Sequence, residues 1–303
     1  MRNNYPICLL ISYIFIRYQV LNSYQMPVES KLLDLRSLGL KILLLVVALC
    51  VLIGVIIAEN EGDLRVLLQN ITLVITSATA FALSVVVISR SITAYRKTFF
   101  MLLIGLALWC TAEVTWMYYV QVMKIEVPFP SLADLFYLSG YAFVGIFLMQ
   151  IARRLAGTNK KNMIVISAVS ISIVATTINF FIFDIVRDSF TVTSISLQRT
   201  ILLSFSVAYP ILDALLLIPS MIILYESRTR KTEYMSWIML SLAMLLLGIG
   251  DTGFGYVALK NIESLSEEYI WDIIFNFSYI FIIGSLAYEF YNSRRQVMIP
   301  QKE

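Results

Sequence analysis

From residue 38 onward the chain alternates between long apolar stretches and short polar breaks. Eight such stretches run over 38–58, 66–89, 98–122, 131–152, 163–186, 201–225, 234–258 and 269–291. Each holds 20 residues or more of mostly apolar sequence, enough for a helix to cross the ~30 Å hydrocarbon core of a bilayer. The breaks read AENEGDLR, RSITAYRK, KIEVPFP, RRLAGTNKKN, DIVRDSFTVTSISLQRT, ESRTRKTE and KNIESLSEE, with NSRRQVMIPQKE as the tail. A chain in lipid must satisfy its own backbone hydrogen bonds, so the stretches are read as transmembrane helices.

Composition agrees with that pattern. The 303 residues are 59% hydrophobic and 14% charged, against about 25% charged for a soluble domain. So few charges cannot cover a water-facing surface, and the partner implied for most of the chain is the lipid bilayer. The net charge of +3 is small and gives no reason to expect a nucleic-acid partner. Cys8, Cys50 and Cys110 all sit in apolar runs and none forms a CxxC pair, which points to buried thiols rather than a disulfide framework or zinc knuckle. Histidine is absent altogether. That excludes Ser-His-Asp and Cys-His nucleophilic catalysis, His-ligated haem and the usual zinc hydrolase sites. No catalytic residue, metal or cofactor is assigned from the sequence.

The basic residues set an orientation. Of the 23 Lys and Arg, 18 fall before or at the start of the first span (Lys41 being the last of these), in the breaks after the second, fourth and sixth spans, and in the tail. The remaining five are Arg65, Lys124, Arg187, Arg199 and Lys260. The positive-inside rule then places both termini in the cytoplasm of a multi-pass cell-membrane protein. Residues 1–37 are read as a cytoplasmic segment and 293–303 as a cytoplasmic tail. Within residues 1–25 the apolar run PICLLISYIFI is shorter than the ~20 residues a span needs. It is expected to be an interfacial segment or an untranslated stretch upstream of Met26.

An internal repeat organises the spans. At an offset of 138, Glu113 corresponds to Asp251, Tyr118 to Tyr256, Asp134 to Asp272 and Tyr141 to Tyr279. Trp116/Phe254, Leu135/Ile273 and Ala142/Ile280 follow at the same offset without a gap. Residues 38–160 and 161–292 are therefore read as two four-helix units. Four spans per unit bring both units into the membrane from the same side, so the repeat is parallel, about a pseudo-two-fold axis along the membrane normal. The fold class expected is an all-α integral membrane protein with eight transmembrane helices as two parallel four-helix repeats.

The candidate site follows from the cost of charge in lipid. An ionised carboxylate in hydrocarbon costs at least ~2.5–3.5 kcal/mol, so such groups face a bundle interior, find a partner or stay protonated. Glu113 and Asp251 lie in the outer thirds of the third and seventh spans, with Asp134 and Asp272 near the outer ends of the fourth and eighth. Glu113 and Asp251 are expected to share one polar interior, with Asp134, Asp272, Trp116, Tyr118, Tyr137 and Tyr256 completing a ligand-binding site. Aromatic faces beside carboxylates suit a cation or an amphipathic ligand. Each residue also has a structural reading. Ser131-x-x-Asp134 has capping-box spacing. Asp251 lies in GIGDTGFG, where glycines permit close helix contact and a hydrogen bond between helices. The aromatics suit an interfacial belt. Asp213, after Pro210 in the sixth span, has no counterpart in the other unit.

Two resemblances bear on function. GIGD at 248–251 resembles the GxGD motif of intramembrane aspartyl proteases, with Asp213 as the second aspartate. Leu212 stands where that family has Tyr, and no PAL-like motif follows. The stretch GLALWCTAEVTWMYY…PFPSLADLFYLSGY is similar to the membrane-embedded, sensor-like N-terminal regions of prokaryotic signalling proteins. Their output is a diguanylate cyclase, a histidine kinase or a PAS-linked module. The resemblance is carried by Trp109, Glu113, Trp116, Pro128, Pro130 to Asp134, Tyr137 and Leu138. It implies a sensor-like or ligand-binding membrane module. Since only a short tail follows the eighth span, such a module would act through a separate cytoplasmic signalling protein. A small-molecule or cation transporter is the alternative, and the protease the third reading.

Overall fold

The computed structural model describes residues 28–91, 93–125, 127–128, 130–155, 197–227, 235–260 and 265–297, with isolated positions between 164 and 179. The described residues form seven long helices and no strand: α1 (Val28–Ala58), α2 (Gly62–Arg90), α3 (Thr93–Met117), α4 (Leu132–Leu155), α5 (Leu197–Ser227), α6 (Met235–Lys260) and α7 (Leu265–Val297). All seven are long and apolar enough to cross a membrane. The span expected over 163–186 falls almost wholly outside the described residues, as do residues 1–25 and the end of the tail.

Local sequence sets where the helices stop. Gly62 takes a left-handed φ of 56° between α1 and α2, and the Arg65 guanidinium donates to the Asn60 carbonyl at 2.5 Å. Ser91 closes α2, its hydroxyl donating to the Val87 carbonyl at 2.8 Å. The end of α3 widens into a π-helical turn over Tyr118–Met123, and Lys124 in the left-handed region (φ 54°) ends it. Helix α4 opens on the capping box. The Asp134 carboxylate accepts from the Ser131 backbone N–H at 2.6 Å and from its hydroxyl at 2.8 Å.

Six helices close into a ring, in the order α2, α3, α4, α5, α6, α7 and back to α2. Helix α1 stands outside it. It packs on α7 through Val46 and Cys50 against Ile280, and turns Leu44, Leu45, Val51 and Leu52 outward. In water such a face would drive aggregation, whereas in lipid it is the surface required.

The centre of the ring is filled by side chains. Trp237 stacks on Phe99 at 6.0 Å near the starts of α3 and α6. Phe254 meets Trp116 edge-on at 5.9 Å near their ends. Contacts start-to-start and end-to-end mean that α3 and α6 run in the same direction. Two kinds of close approach hold neighbouring helices. Gly105 of α3 faces the Gly140 backbone and Val144 of α4, and a Cβ on Gly140 would come within 2.3 Å of the Trp109 ring. On α6, Gly250 seats Phe275 and Gly253 seats Trp271, both from α7. Gly250 and Gly253 of GIGDTGFG therefore serve helix packing.

Candidate functional site

Glu113 sits one turn before the end of α3 and is buried. Its carboxylate accepts the Tyr279 hydroxyl of α7 at 2.8 Å, and the Tyr137 hydroxyl of α4 lies within reach of the same group. Asp251 of α6 accepts the Tyr141 hydroxyl of α4. The two bonds cross between elements in a matched way: Glu113 and Asp251 are 138 positions apart, and so are Tyr141 and Tyr279. Trp109 lies between the two tyrosines, edge-on to Tyr141 at 5.4 Å and to Tyr279 at 6.4 Å. Its indole N–H donates to the Tyr137 carbonyl at 3.2 Å. Glu113 and Asp251 are close enough for the charge on one to act on the other.

The outer pair of acids is engaged differently. Asp134 keeps one oxygen for its capping box and accepts the Tyr209 hydroxyl of α5 on the other at 2.6 Å. Tyr209 also stands edge-on to Tyr141 at 6.2 Å, joining the Asp134 end of the network to the Asp251 end. Asp272 accepts from the Gln69 amide of α2 at 2.9 Å. One turn further along α7, Asn276 receives Thr76 at 3.2 Å and donates to Thr72 at 3.2 Å, both on α2. The α2–α7 contact is thus a ladder of satisfied polar pairs.

The structure therefore gathers Glu113, Asp251, Asp134 and Tyr137 into one network. Asp272 is held on its other flank by α2. Trp116 is half-buried against Phe254. Tyr118 is 52% exposed and packs on Tyr119, so among the described contacts it joins no carboxylate. The Tyr256 side chain lies outside the described residues. The repeat pairs Tyr141 with Tyr279, outside the residues expected for the site, and their hydroxyls supply its main hydrogen bonds. Tyr209 carried only a faint signal, as a polar-tipped aromatic one helical turn before Asp213.

No family model matches the chain, and no curated protein or solved structure matches it.

Chemically, the network is one buried and one half-buried carboxyl group whose hydrogen bonds, among the described residues, come from phenols. Phenol donors stabilise a carboxylate without cancelling its charge. Among the described residues no three of Cys, Asp and Glu gather closely enough to hold a metal ion. The arrangement suits recognition of a positively charged group or exchange of a proton. The fold and spans define an all-helical, multi-pass membrane protein.

Proposed function

We propose that this protein is a sensor-like, ligand-binding membrane module whose ligand is an organic cation, and which acts through a separate cytoplasmic signalling protein. One observation carries the reading. Glu113 and Asp251 face one interior, and their described hydrogen bonds come from Tyr279 and Tyr141 rather than from Lys or Arg. Neither carboxyl has a cationic partner among the described hydrogen bonds, so a ligand cation would supply their counter-charge, and Trp109, Tyr137, Tyr141 and Tyr279 offer the aromatic faces that favour an ammonium group. The finer architecture belongs to the same proposal: two parallel repeats about an axis between α3 and α6. Phe99/Trp237 and Trp116/Phe254 support it, since each residue touches the one 138 positions away.

The test uses Trp109 as reporter, with Trp116, Trp237 and Trp271 replaced by Phe so that its emission is read alone. Benzyltrimethylammonium titrated into the protein in nanodiscs should change tryptophan emission saturably, with sodium chloride as the ionic control. Glu113→Gln and Asp251→Asn should each weaken that response at least about tenfold, the loss of about 1.4 kcal/mol. An identical response in both variants removes these acids from ligand binding. A transporter is the second reading, favoured by Asp213 lying between Pro210 and Pro219 in α5. Accumulation of the same cation inside proteoliposomes would select it. The protease reading draws less support, because Asp251 is occupied by Tyr141 and near Glu113, whereas Asp213 has one oxygen with no partner.

A further inference from the structure

Five buried side-chain polar atoms among the described residues have no hydrogen-bond partner, and four of them lie on the neighbouring helices α5 and α6. They are Asp213 Oδ1, Ser220 Oγ and Ser227 Oγ on α5, and Ser241 Oγ on α6. Positions 213, 220 and 227 are spaced by seven, so they share one face of α5. Leu217, on that same face, packs against Gly248 of α6. Ser241 lies seven residues before Gly248 and so shares its face of α6. Because α5 and α6 are successive and antiparallel, the Leu217–Gly248 contact sets Ser241 level with residue 224. The order along the contact is then Asp213, Ser220, Ser241, Ser227, covering ~21 Å at ~1.5 Å per residue.

An orphaned buried hydroxyl or carboxyl costs roughly 1–3 kcal/mol, and in hydrocarbon no outside solvent relieves it. One orphan could be tolerated. Four along a single contact, with the three serines 0% exposed, call for a common partner. Water serves hydroxyls as both donor and acceptor, and it is the molecule that ordinarily satisfies buried polar groups of this kind. The contrast with α2 is instructive. It too carries buried Asn70, Thr76, Ser77 and Ser84, but these are satisfied by its own carbonyls or by Asn276. Pro210 and Pro219 add to the supply of acceptors on α5, since each lacks the N–H that would bond the carbonyl four residues earlier.

We propose that the α5–α6 contact is a hydrated path that lets water and protons reach Asp213 from the end of α5 at Ser227, the end followed by Arg228, Arg230 and Lys231. Tyr209, one turn from Asp213 and hydrogen-bonded to Asp134, lies at the far end of the path. This inference is independent of the cation reading, because none of the four path residues contacts Glu113 or Asp251 in the described hydrogen bonds.

Thiol chemistry tests it, since methanethiosulfonates react with thiolate, which needs water to form. Ser227→Cys, Ser220→Cys and Asp213→Cys are made in a chain cleared of its three native cysteines, with buried Ile223→Cys of α5 as the dry control. Treated with the permanently charged methanethiosulfonate ethyltrimethylammonium from the Ser227 side, the first two should react at least about tenfold faster than the Ile223→Cys control. Ser227→Cys should lead and Asp213→Cys should come last. Rates equal to the control, or faster labelling from the opposite side, would overturn the path. Hydroxyl-radical footprinting of the unmodified protein gives a second reading that no variant can disturb. Met221 of α5, next to Ser220, should be oxidised more than Met101 of α3, which is likewise half-buried, and equal oxidation would count against the path.

Discussion

At the scale of single residues, the partners of the acids decide what they are for. Tyr279→Phe removes the hydroxyl donor from Glu113 and leaves the ring in place against Trp109. In water a bond to a charged group would be worth about 1.5–3 kcal/mol. In a bilayer the unfolded helices find other partners, and measured interhelical bonds average about 0.6 and reach about 1.7 kcal/mol. The membrane value governs here, so Tyr279→Phe should cost about 1 kcal/mol in SDS-induced unfolding followed by fluorescence. The same change in a Glu113→Gln background should cost less; equal costs would show that the pair is not coupled. The acids themselves were legible in the sequence, because a carboxylate in an apolar run is expensive enough to require a reason. Their partners were less so. A tyrosine in a membrane span has an ordinary explanation at the interface, and only folding shows that Tyr209 reaches Asp134 while Tyr118 faces outward. The ladder from Gln69 to Asn276 was hidden for the same reason, since Thr and Asn in a span can satisfy themselves within their own helix.

At the scale of elements, two glycines with the same look in sequence have different duties. A Cβ on Gly140 would press within 2.3 Å of the Trp109 ring, which is pinned by its own hydrogen bond. Gly140→Ala should therefore cost about 1–3 kcal/mol, the usual range for overpacking. A Cβ on Gly248 would meet only the Leu217 side chain, at 3.4 Å or more, so Gly248→Ala should change stability by less than about 0.5 kcal/mol. The unfolding assay above checks both, and equal effects would mean that the close approach at Gly140 is not what holds α3 to α4. Helix positions followed from apolar length alone. The π-helical turn after Met117 did not, because one residue more per turn leaves no mark in an apolar pattern.

For the whole molecule, the expectation that both termini share the cytoplasmic side rests on the distribution of Lys and Arg. Glu263→Cys should be labelled by an impermeant maleimide on intact cells, and Lys161→Cys only after the cells are broken. The reverse pattern would invert the topology. The ring order extends what the sequence offered. Spacing and hydropathy located the seven described spans, but they carried no information on which helix stands outside the ring, since each of the seven is apolar enough to face lipid.

The outlying position of α1 has a consequence for biosynthesis. Its packing partner, α7, begins at Leu265, some 207 residues after α1 ends at Ala58. At 5–20 residues per second, α1 leaves the ribosome roughly 10–40 s before that partner exists. A helix that must wait so long among lipids has to be at home there alone, and α1 from Ser37 onward is the most apolar of the seven spans. Helix α2 also waits for α7, to supply Asp272 and Asn276, but it carries Gln69, Asn70, Thr72 and Thr76 while it does so. Of these, Asn70, Thr72 and Thr76 each bond a carbonyl of α2 itself, so the helix arrives with most of its polar groups already quieted. Capture by α7 would then close the ring and dock α1 in one late step.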